Sequence, residues 1–378
     1  MENEKIIRKK VFVGLSGGVD SSVSAALLKR DGYDVTGVFI KAWYPDFLTC
    51  TWKEDRRDAM RVCAVLDIPF LTIDLEKEYK KEVIDYMVRE YAEGRTPNPD
   101  VMCNKVIKFG GFFEKAMEMG ADYIATGHYA RVVEARGSGA DNDGDAGIST
   151  EKNAVLYKML ESKDTNKDQT YFLWTLTQRQ LAHTLFPVGD IPKSQVRELA
   201  HEFGLSTATK KDSQGLCFLG KVDLKDFLGH YFKEQKGNVL NEAGAIIGTH
   251  DGAWFYTLGE RHGFVVSADA PAEKPFYIIA KDVKANTLTV SHKISPDAPL
   301  KPTKEIRLTN ANWISGTAPL RKRISARTRY RESLVACKVD QDATGFLVKF
   351  DVPQSIVSAG QSIVFYNAGE CLGGAIVQ

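Results

Sequence analysis

The sequence predicts an α/β protein with an N-terminal doubly wound parallel sheet, followed by two small, mainly-β domains. Strand-like and helix-like segments alternate over residues 10–130, which is typical of a parallel sheet covered by helices on both faces. After about residue 221, short apolar runs recur every 8–12 residues between Gly, Asn and Pro, which is typical of small β-barrels or sandwiches. The length of 378 residues allows two or three domains.

The N-terminal elements can be predicted in order. Strands are expected at residues 10–15, 35–40, 69–73 and 123–126, and helices at 21–30, 54–66, 79–91 and 106–119. Ligands of such a sheet bind beyond the carboxyl ends of its strands. We place the domains at residues 1–220, 221–295 and 296–378, with residues 295–302 as a linker between the two β domains. Residues 136–153 are rich in Gly and Asp and predict a flexible loop.

Charge and hydropathy limit the function classes. The net charge of +1 argues against a general polyanion binder. From residue 296 onward, however, 11 Lys and Arg face 7 Asp and Glu, which indicates a basic, nucleic-acid-facing module. No stretch approaches the roughly 20 apolar residues of a membrane helix, and the polar N-terminus lacks a signal-peptide core. We therefore expect a cytoplasmic protein without membrane contact.

The cysteines are predicted to be free thiols. No two of the six are spaced C-x2-C, which argues against a zinc ribbon or an iron–sulfur cluster. In a cytosolic protein such cysteines are packing residues or reactive thiols. The six are Cys50, Cys63, Cys103, Cys217, Cys337 and Cys371.

A phosphate-binding loop is the strongest local signal. The string SGGVDSS at residues 16–22 lies between the first predicted strand and the first helix. Its two glycines allow a tight turn, and the helix start directs free N–H groups at an anion. The loop is neither a Walker A motif nor a dinucleotide fingerprint, because G-K-[ST] and G-x-G-x-x-G are both missing. Without a Walker lysine, Asp20 could hold a Mg²⁺ that bridges phosphates.

Two cysteines lie in contexts that favour reactivity. Cys103 follows the rigid turn of Pro97 and Pro99 and precedes a predicted helix, whose N-terminus would lower the pKa of its thiol. Cys217 lies on a Gly-rich loop, with Lys210 and Lys211 upstream as residues that could stabilise a thiolate.

Six motifs extend over almost the whole chain and together resemble the bacterial tRNA-specific 2-thiouridylases of the ATP-pyrophosphatase (PP-loop) superfamily. In chain order they are SGGVDSS, RTPNPDVMCN (95–104), ATGHYAR (125–131), KDQTYFL (167–173), DSQGLCF (212–218) and TLGERHG (257–263). The resemblance implies ATP-dependent 2-thiolation of the wobble uridine of tRNAs for Glu, Gln and Lys. Adenylated uracil and a cysteine persulfide would be intermediates, and 2-thiouridine, AMP and diphosphate the products.

The resemblance also implies site residues. Cys103 would be the nucleophile and Cys217 the persulfide carrier, supplied by a sulfur-carrier protein. ATP, with Mg²⁺, would be bound by Gly14, Leu15, Ser16, Gly17, Gly18, Val19, Asp20, Ser21, Ile40 and Gly127. The target base would contact Asn98, Pro99 and Asp100, and the tRNA would contact Lys167, Asp168, Gln169, Arg329 and Tyr330. Tyr171, Phe172 and Tyr330 are candidates for stacking on bases, and His128 is either a ligand-positioning or a core residue.

Two other function classes stay open at this point. One is another PP-loop adenylating enzyme that acts on a different carbonyl substrate, either coupled to a glutaminase or dependent on an iron–sulfur cluster. The other is an RNA-binding module that senses ATP without catalysis. Release of pyrophosphate with cognate tRNA would separate the enzymes from the binding module.

Overall fold

A computed structural model of the chain describes residues 8–48, 52–136, 155–212, 215–220, 222–267, 275–292, 303–354 and 357–378. Except for Arg136, the loop predicted at 136–153 lies outside these residues, as do the predicted linker at 295–302 and Cys50. The strands are β1 (Lys10–Gly14), β2 (Asp34–Lys41), β3 (Phe70–Asp74), β4 (Tyr123–Ala125), β5 (Ala130–Arg136), β6 (Val155–Glu161), β7 (Thr184–Leu185), β8 (Gly237–Leu240), β9 (Ile246–His250), β10 (Val265–Val266), β11 (Tyr277–Asp282), β12 (Thr287–Ser291), β13 (Thr303–Trp313), β14 (Ile324–Arg327), β15 (Val335–Asp342), β16 (Gly345–Gln354), β17 (Ser362–Asn367) and β18 (Glu370–Val377). The α-helices are α1 (Val19–Arg30), α2 (Trp52–Leu66), α3 (Glu76–Tyr79), α4 (Tyr86–Ala92), α5 (Pro99–Met102), α6 (Phe113–Glu118), α7 (Gln178–Ala182), α8 (Lys193–Glu202) and α9 (Leu224–Gly229).

The predicted parallel sheet is confirmed. Within the described residues it has five strands in the order β3-β2-β1-β4-β7, and each neighbouring pair is parallel. The chain moves outward from β1 to β2 and β3, then returns to place β4 on the other side of β1. The strand order therefore reverses beside the carboxyl end of β1, which is where such sheets bind ligands.

Alternating residues of β1 supply two separate cores, one on each face of the sheet. Val11 and Val13 pack with α1, α2 and α8 in one apolar cluster. Phe12 packs in another cluster with the helical segments that surround Phe109 and Phe112. Because successive side chains of a strand point to opposite faces, the apolar run of β1 is what allows helices to cover both faces.

The helix that follows the predicted rigid turn begins earlier than expected. It starts at Pro99, where the side chain of Asn98 caps it by accepting a hydrogen bond from the backbone N–H of Val101 at 3.2 Å. Residues Cys103–Phe112 are π-helical and lead directly into α6. Cys103 therefore lies inside a continuous helical segment and not ahead of one. A second π-helical segment, Lys80–Asp85, joins α3 to α4.

The two β regions are also confirmed. One sheet of the described residues has the order β10-β9-β8-β12-β11, and a larger one has the order β13-β16-β15-β14-β17-β18-β6-β5. An added β13–β18 pairing closes six strands of the larger sheet. The sequence did not predict that the β5–β6 hairpin, from the first 220 residues, would join this barrel through β18. No helix in the described part of the chain is both long and apolar enough to cross a membrane.

Candidate active site

The phosphate loop lies between β1 and α1, as predicted. Gly17 has φ +72°, and a Cβ built on it would lie 2.5 Å from the carbonyl oxygen of Asp55, so a side chain has no space there. Ser21 braces the turn, because its hydroxyl accepts a hydrogen bond from the backbone N–H of Ser16 at 3.2 Å and donates one to the carbonyl of Gly18 at 3.2 Å. The turn holds the start of α1 in an arrangement suited to binding an anion.

The backbone that follows β4 packs on this phosphate loop. A Cβ on Gly127 would lie 2.6 Å from the backbone nitrogen of Ser21, so the backbone that follows β4 is in close contact with the start of α1. Ile40 is buried near the carboxyl end of β2. The residues predicted to bind ATP therefore lie on three neighbouring strand ends, and their contacts with the nucleotide stay predictions.

Asp20 is engaged in an ion pair. The ammonium of Lys193 lies 2.6 and 2.8 Å from the two carboxylate oxygens of Asp20, and the hydroxyl of Tyr129 donates to the nearer one at 2.8 Å. The same ammonium lies 2.9 Å from the carboxylate of Asp212, which precedes Cys217 by five residues in the sequence. With a side chain only 12% exposed, Lys193 bridges the phosphate loop and the segment that carries Cys217.

Asp212 is the centre of this charge cluster. Lys167 and Arg197 also pair with it, at 2.8 and 2.6 Å. Burial alone would raise the pKa of Asp212, but hydrogen bonds from Lys167 and Lys193 lower it to about 2. In this arrangement Lys193 contacts both carboxylate oxygens of Asp20, and Mg²⁺ binding through Asp20 together with ATP stays a prediction. No group of three or more His, Cys, Asp or Glu among the described residues is placed to hold a metal ion.

The two predicted reactive cysteines meet. The Sγ atoms of Cys103 and Cys217 lie 3.0 Å apart, in hydrogen-bond contact, whereas a disulfide bond would measure about 2.05 Å. The Cys217 loop is held by two contacts. The hydroxyl of Tyr79 donates to the carbonyl of Cys217 at 2.6 Å, and the backbone N–H of Cys217 donates to the carboxylate of Asp100 at 3.0 Å. Cys103 is fully buried, whereas Cys217 is partly exposed.

The electrostatics of the thiol pair correct two predictions. Burial, together with the hydrogen bond to Cys217, raises the pKa of Cys103, so the predicted lowering by a helix N-terminus is wrong. The hydrogen bond from Cys103 and the charge of Lys108 lower the pKa of Cys217, although burial opposes them. Lys210 is not the cation beside that loop cysteine, because it pairs with Asp55 and Asp58 at 2.8 and 2.7 Å.

The residues predicted to contact the target base lie beside the thiols. Asn98 and Pro99 form the first turn of the helix that carries Cys103, and Asp100 holds the backbone of Cys217. Burial raises the pKa of Asp100, against the opposing effect of the Cys217 N–H group. The arrangement brings the predicted base site and the predicted sulfur chemistry together, while the base contacts themselves stay predictions.

Two residues of the predicted central tRNA-contact set, Asp168 and Gln169, form hydrogen bonds within the protein. Asp168 is 3% exposed, and its carboxylate accepts hydrogen bonds from the backbone of Ser162 at 2.9 Å and the hydroxyl of Thr170 at 2.7 Å. The side-chain oxygen of Gln169 accepts from the backbone of Tyr129 at 3.0 Å. A direct tRNA contact from the side chain of Asp168 is therefore incompatible with this arrangement, because both of its oxygens are buried and bonded.

The C-terminal contact set lies at the junction with the barrel. The ring of Tyr330 lies 4.5 Å from that of Phe172, tilted by 50°, and Arg329 is exposed. Tyr171 is a core residue whose hydroxyl donates to the carbonyl of Ser362 in the barrel at 2.9 Å. The prediction that Tyr171 stacks on a base is therefore wrong, whereas Phe172 and Tyr330 form an aromatic pair that is only partly buried.

Sequence reasoning missed four residues that hold the site together: Tyr79, Lys108, Tyr129 and Lys193. Lys108 has a signal in hindsight, because it follows Cys103 by five residues and residues five apart lie near each other in a π-helix. Tyr79 and Lys193 carry no local signal, since their partners are distant in sequence.

Comparison with known proteins supports one family throughout the chain. Residues 9–221 match the family described as the tRNA methyl transferase HUP domain, residues 225–292 the tRNA methyl transferase PRC-barrel domain, and residues 303–377 the aminomethyltransferase beta-barrel domain. The tRNA-specific 2-thiouridylase MnmA 2 of Geobacillus kaustophilus is 45% identical over 372 residues, which cover 97% of this chain and 94% of that protein. The tRNA-specific 2-thiouridylase MnmA of Enterococcus faecalis is 43% identical over 377 residues, covering 98% and 95% of the two chains.

Similarity to solved structures is much weaker. A 4-thiouridine synthetase solved in complex with RNA and ATP is 19% identical, covers 56% of this chain and 46% of that chain, and superposes with a TM-score of 0.34.

Proposed function

The chain belongs to the family of the tRNA-specific 2-thiouridylases, and on that premise we propose that it replaces the C2 oxygen of the wobble uridine of tRNA by sulfur, with ATP as co-substrate. The observation that carries the proposal is the contact between Cys103 and Cys217, two thiols whose sulfur atoms lie 3.0 Å apart. Its products would be 2-thiouridine, AMP and diphosphate.

Adenylation is the first proposed step. The C2 oxygen of uracil is a poor leaving group, and transfer of AMP from ATP to that oxygen makes it a good one while diphosphate is released. The start of α1, at Val19, would direct backbone N–H groups at the phosphates, and Gly127 packs against the turn closely enough to limit the space there.

Sulfur transfer is the second step. The Cys217 thiolate attacks the outer sulfur of a donor persulfide R–S–SH, the S–S bond of the donor breaks, and R–S⁻ leaves, so that Cys217 carries –S–SH. The outer sulfur, on losing its proton, attacks C2, and AMP leaves with the former C2 oxygen. Cys103 then attacks the sulfur of Cys217, and the electron pair of the broken S–S bond goes to the sulfur on C2.

A second order of the sulfur-transfer steps gives the same products. Cys103 attacks the persulfide first and releases HS⁻, which then attacks C2 and displaces AMP. Both orders leave a Cys103–Cys217 disulfide, and two electrons from a dithiol reductant restore the thiols. The 3.0 Å contact supports either order, because the two sulfur atoms need to approach by only about 1 Å to form the bond.

The thiol pair supports sulfur transfer over the methyl transfer that appears in the descriptions of the matching families. Methyl transfer to a base needs no second thiol, whereas delivery and release of a sulfur atom uses two thiols in contact. We therefore favour sulfur transfer for this chain. We further propose the tRNAs for Glu, Gln and Lys as substrates, a persulfide sulfur-carrier protein as partner, and the cytoplasm as the compartment.

The test is mass spectrometry of tRNA nucleosides after incubation of the enzyme with unmodified tRNA, ATP, Mg²⁺ and a persulfide source. We expect 2-thiouridine to form, with one diphosphate released for each sulfur incorporated. The matched controls are omission of ATP and its replacement by an analogue that cannot be cleaved between the α and β phosphates. Neither control should give 2-thiouridine. Diphosphate release with tRNA but no thiolated nucleoside would instead favour a different adenylating enzyme.

A further inference from the structure

Lys108 lies beside the thiol pair because of the unusual local helix. In a π-helix the hydrogen bonds run between residues five apart, and Cys103 and Lys108 are separated by five residues within such a segment. Both side chains therefore project from one face of the segment, toward the loop of Cys217. In an α-helix the same two residues would diverge, since neighbours on one face are three or four apart.

A neutral histidine fixes the ammonium of Lys108. The Nζ atom of Lys108 lies 3.2 Å from Nε2 of His128, and Nδ1 of His128 lies 2.8 Å from the hydroxyl of Thr126. An ammonium only donates, so Nε2 accepts and the ring proton lies on Nδ1. Burial and the nearby Lys108 charge lower the pKa of His128 well below its usual value, which keeps the ring neutral.

The acidic groups that face this ammonium are the thiol pair and one carboxyl group. Among the described residues, no carboxylate forms an ion pair with Lys108, and its hydrogen-bond partner His128 is uncharged. The acidic groups that face it are Cys217, Cys103 and Asp100, which raise the pKa of Lys108 although burial opposes them. A partly buried ammonium is stabilised by a nearby counter-charge, and Cys217, the partly exposed thiol of the pair, is one of the three groups in place to supply it.

We propose that Lys108 is a positioning residue of the sulfur relay, whose ammonium stabilises negative charge on the sulfur of Cys217 and so makes Cys217 the thiol that receives sulfur. Cys103 keeps its proton until later in the cycle, consistent with its burial and with its hydrogen bond to Cys217. The inference rests on the proposed function for the identity of the incoming sulfur, but the state of the thiols can be measured without tRNA or ATP.

The experiment measures the rate at which iodoacetamide alkylates each cysteine of the reduced full-length chain, from about pH 5.5 to pH 10, with peptide mapping by mass spectrometry. The groups facing the reacting sulfur are Tyr79, Asp100, Cys103 and Lys108, and His128 contacts Lys108. We expect Cys217 to reach half-maximal reactivity at a lower pH in the folded chain than in the urea-unfolded chain. Equal midpoints in the two states would overturn the proposal without any variant.

Variants then separate charge from packing. Lys108→Met should slow alkylation of Cys217 at pH 7 on the order of tenfold, since a neighbouring opposite charge shifts a titration by one unit or more, and Lys108→Arg should restore most of the rate. Lys105→Met, an exposed lysine in the same π-helical segment, is the matched control and should leave the rate unchanged. A wild-type rate in folded Lys108→Met, or an arginine variant as slow as the methionine variant, would overturn the role of the charge.

This result is independent of thiolation. Failure of the wild-type enzyme to make 2-thiouridine, with the alkylation pattern as expected, would overturn the proposed reaction and leave the Lys108–Cys217 relationship standing. Normal thiolation, together with equal midpoints of Cys217 alkylation in the folded and unfolded chains, would overturn the Lys108–Cys217 relationship and leave the proposed reaction standing.

Discussion

The sulfur atoms of Cys103 and Cys217 lie 3.0 Å apart although 114 residues separate them in the chain. One is carried by a helical segment that packs under the parallel sheet, and the other by a loop tied to that segment through Asp100 and Tyr79. The pair is therefore assembled by both a rigid element and a loop, which leaves the loop thiol accessible to a donor while the helical thiol is buried.

Removal of either thiol should abolish thiolation while ATP still binds. In Cys103→Ser and Cys217→Ser, a hydroxyl can neither carry a persulfide nor close the disulfide, so we expect no 2-thiouridine by mass spectrometry of nucleosides. ATP affinity by calorimetry should stay within about twofold of the wild type. Cys337→Ala, in the core of the barrel, is the control and should retain the product. Formation of 2-thiouridine by both serine variants would contradict the relay.

Gly127→Ala should weaken ATP binding tenfold or more, equivalent to about 1.4 kcal/mol. The added methyl group would lie 2.6 Å from the backbone nitrogen of Ser21, so the start of α1 must move away from its phosphate-binding position. Isothermal titration with ATP measures the effect. Gly229→Ala, whose methyl group would meet no atom within 4 Å, is the matched control. Unchanged affinity in a folded Gly127→Ala protein would show that the contact does not shape the site.

Lys193→Met should lower the free energy of unfolding by on the order of 1–2 kcal/mol. The change leaves Asp20 with Tyr129 as its remaining described partner and removes one of three cations from Asp212. Urea denaturation measures the loss. In Lys163→Met the lost partner is Asp190, in a pair with both side chains 60% exposed, and we expect a change within about 0.5 kcal/mol. Equal losses of unfolding free energy in the two variants would show that the contacts of Lys193 with Asp20 and Asp212 stabilise the fold no more than an exposed ion pair does.

The stability supplied by Asp212 should depend on pH. Its pKa is lowered to about 2 in the folded state, against about 4 in an unfolded chain. A depressed pKa contributes stability above the unfolded value, which is lost as the pH falls through the folded one. The difference in unfolding free energy between wild type and Asp212→Asn should thus be full near pH 5 and shrink toward pH 2.

Urea denaturation at a series of pH values checks this expectation for Asp212. Asp190→Asn serves as the control, because that side chain is largely exposed and should show a much smaller dependence. If the difference in unfolding free energy between wild type and Asp212→Asn stayed constant from pH 5 to pH 2, ionisation of Asp212 would not contribute to the stability of the fold.

Arg329→Gln should weaken tRNA binding and reduce its dependence on salt. Loss of one phosphate contact lowers the slope of log affinity against log salt by about one. Filter binding at several salt concentrations measures the slope. Arg329→Lys retains the charge and should keep the wild-type slope. A slope unchanged in Arg329→Gln would place this exposed arginine outside the tRNA interface.

Local pattern predicted those features that depend on neighbouring residues. The apolar run of β1, the glycines after it and the helix that follows are a continuous stretch of about 20 residues, and their conformations follow from backbone sterics and periodicity. For the same reason the β character of the C-terminal part was predictable from short apolar runs. The helix start at Pro99 was misplaced because capping by Asn98 is a side-chain event that hydropathy does not report.

By itself, the sequence determined the order of the folds, the place of the phosphate loop and the two cysteines that resemblance marks as reactive. Only the tertiary structure decided that those cysteines touch, that the pKa of Cys217 is lowered while that of Cys103 is raised, and that Lys210 pairs with Asp55 and Asp58 and not with the loop cysteine. It also decided that Lys193 occupies Asp20 and that β6 joins the barrel. Such facts depend on side chains that meet across more than a hundred residues, and packing of whole elements, not local propensity, sets which ones meet.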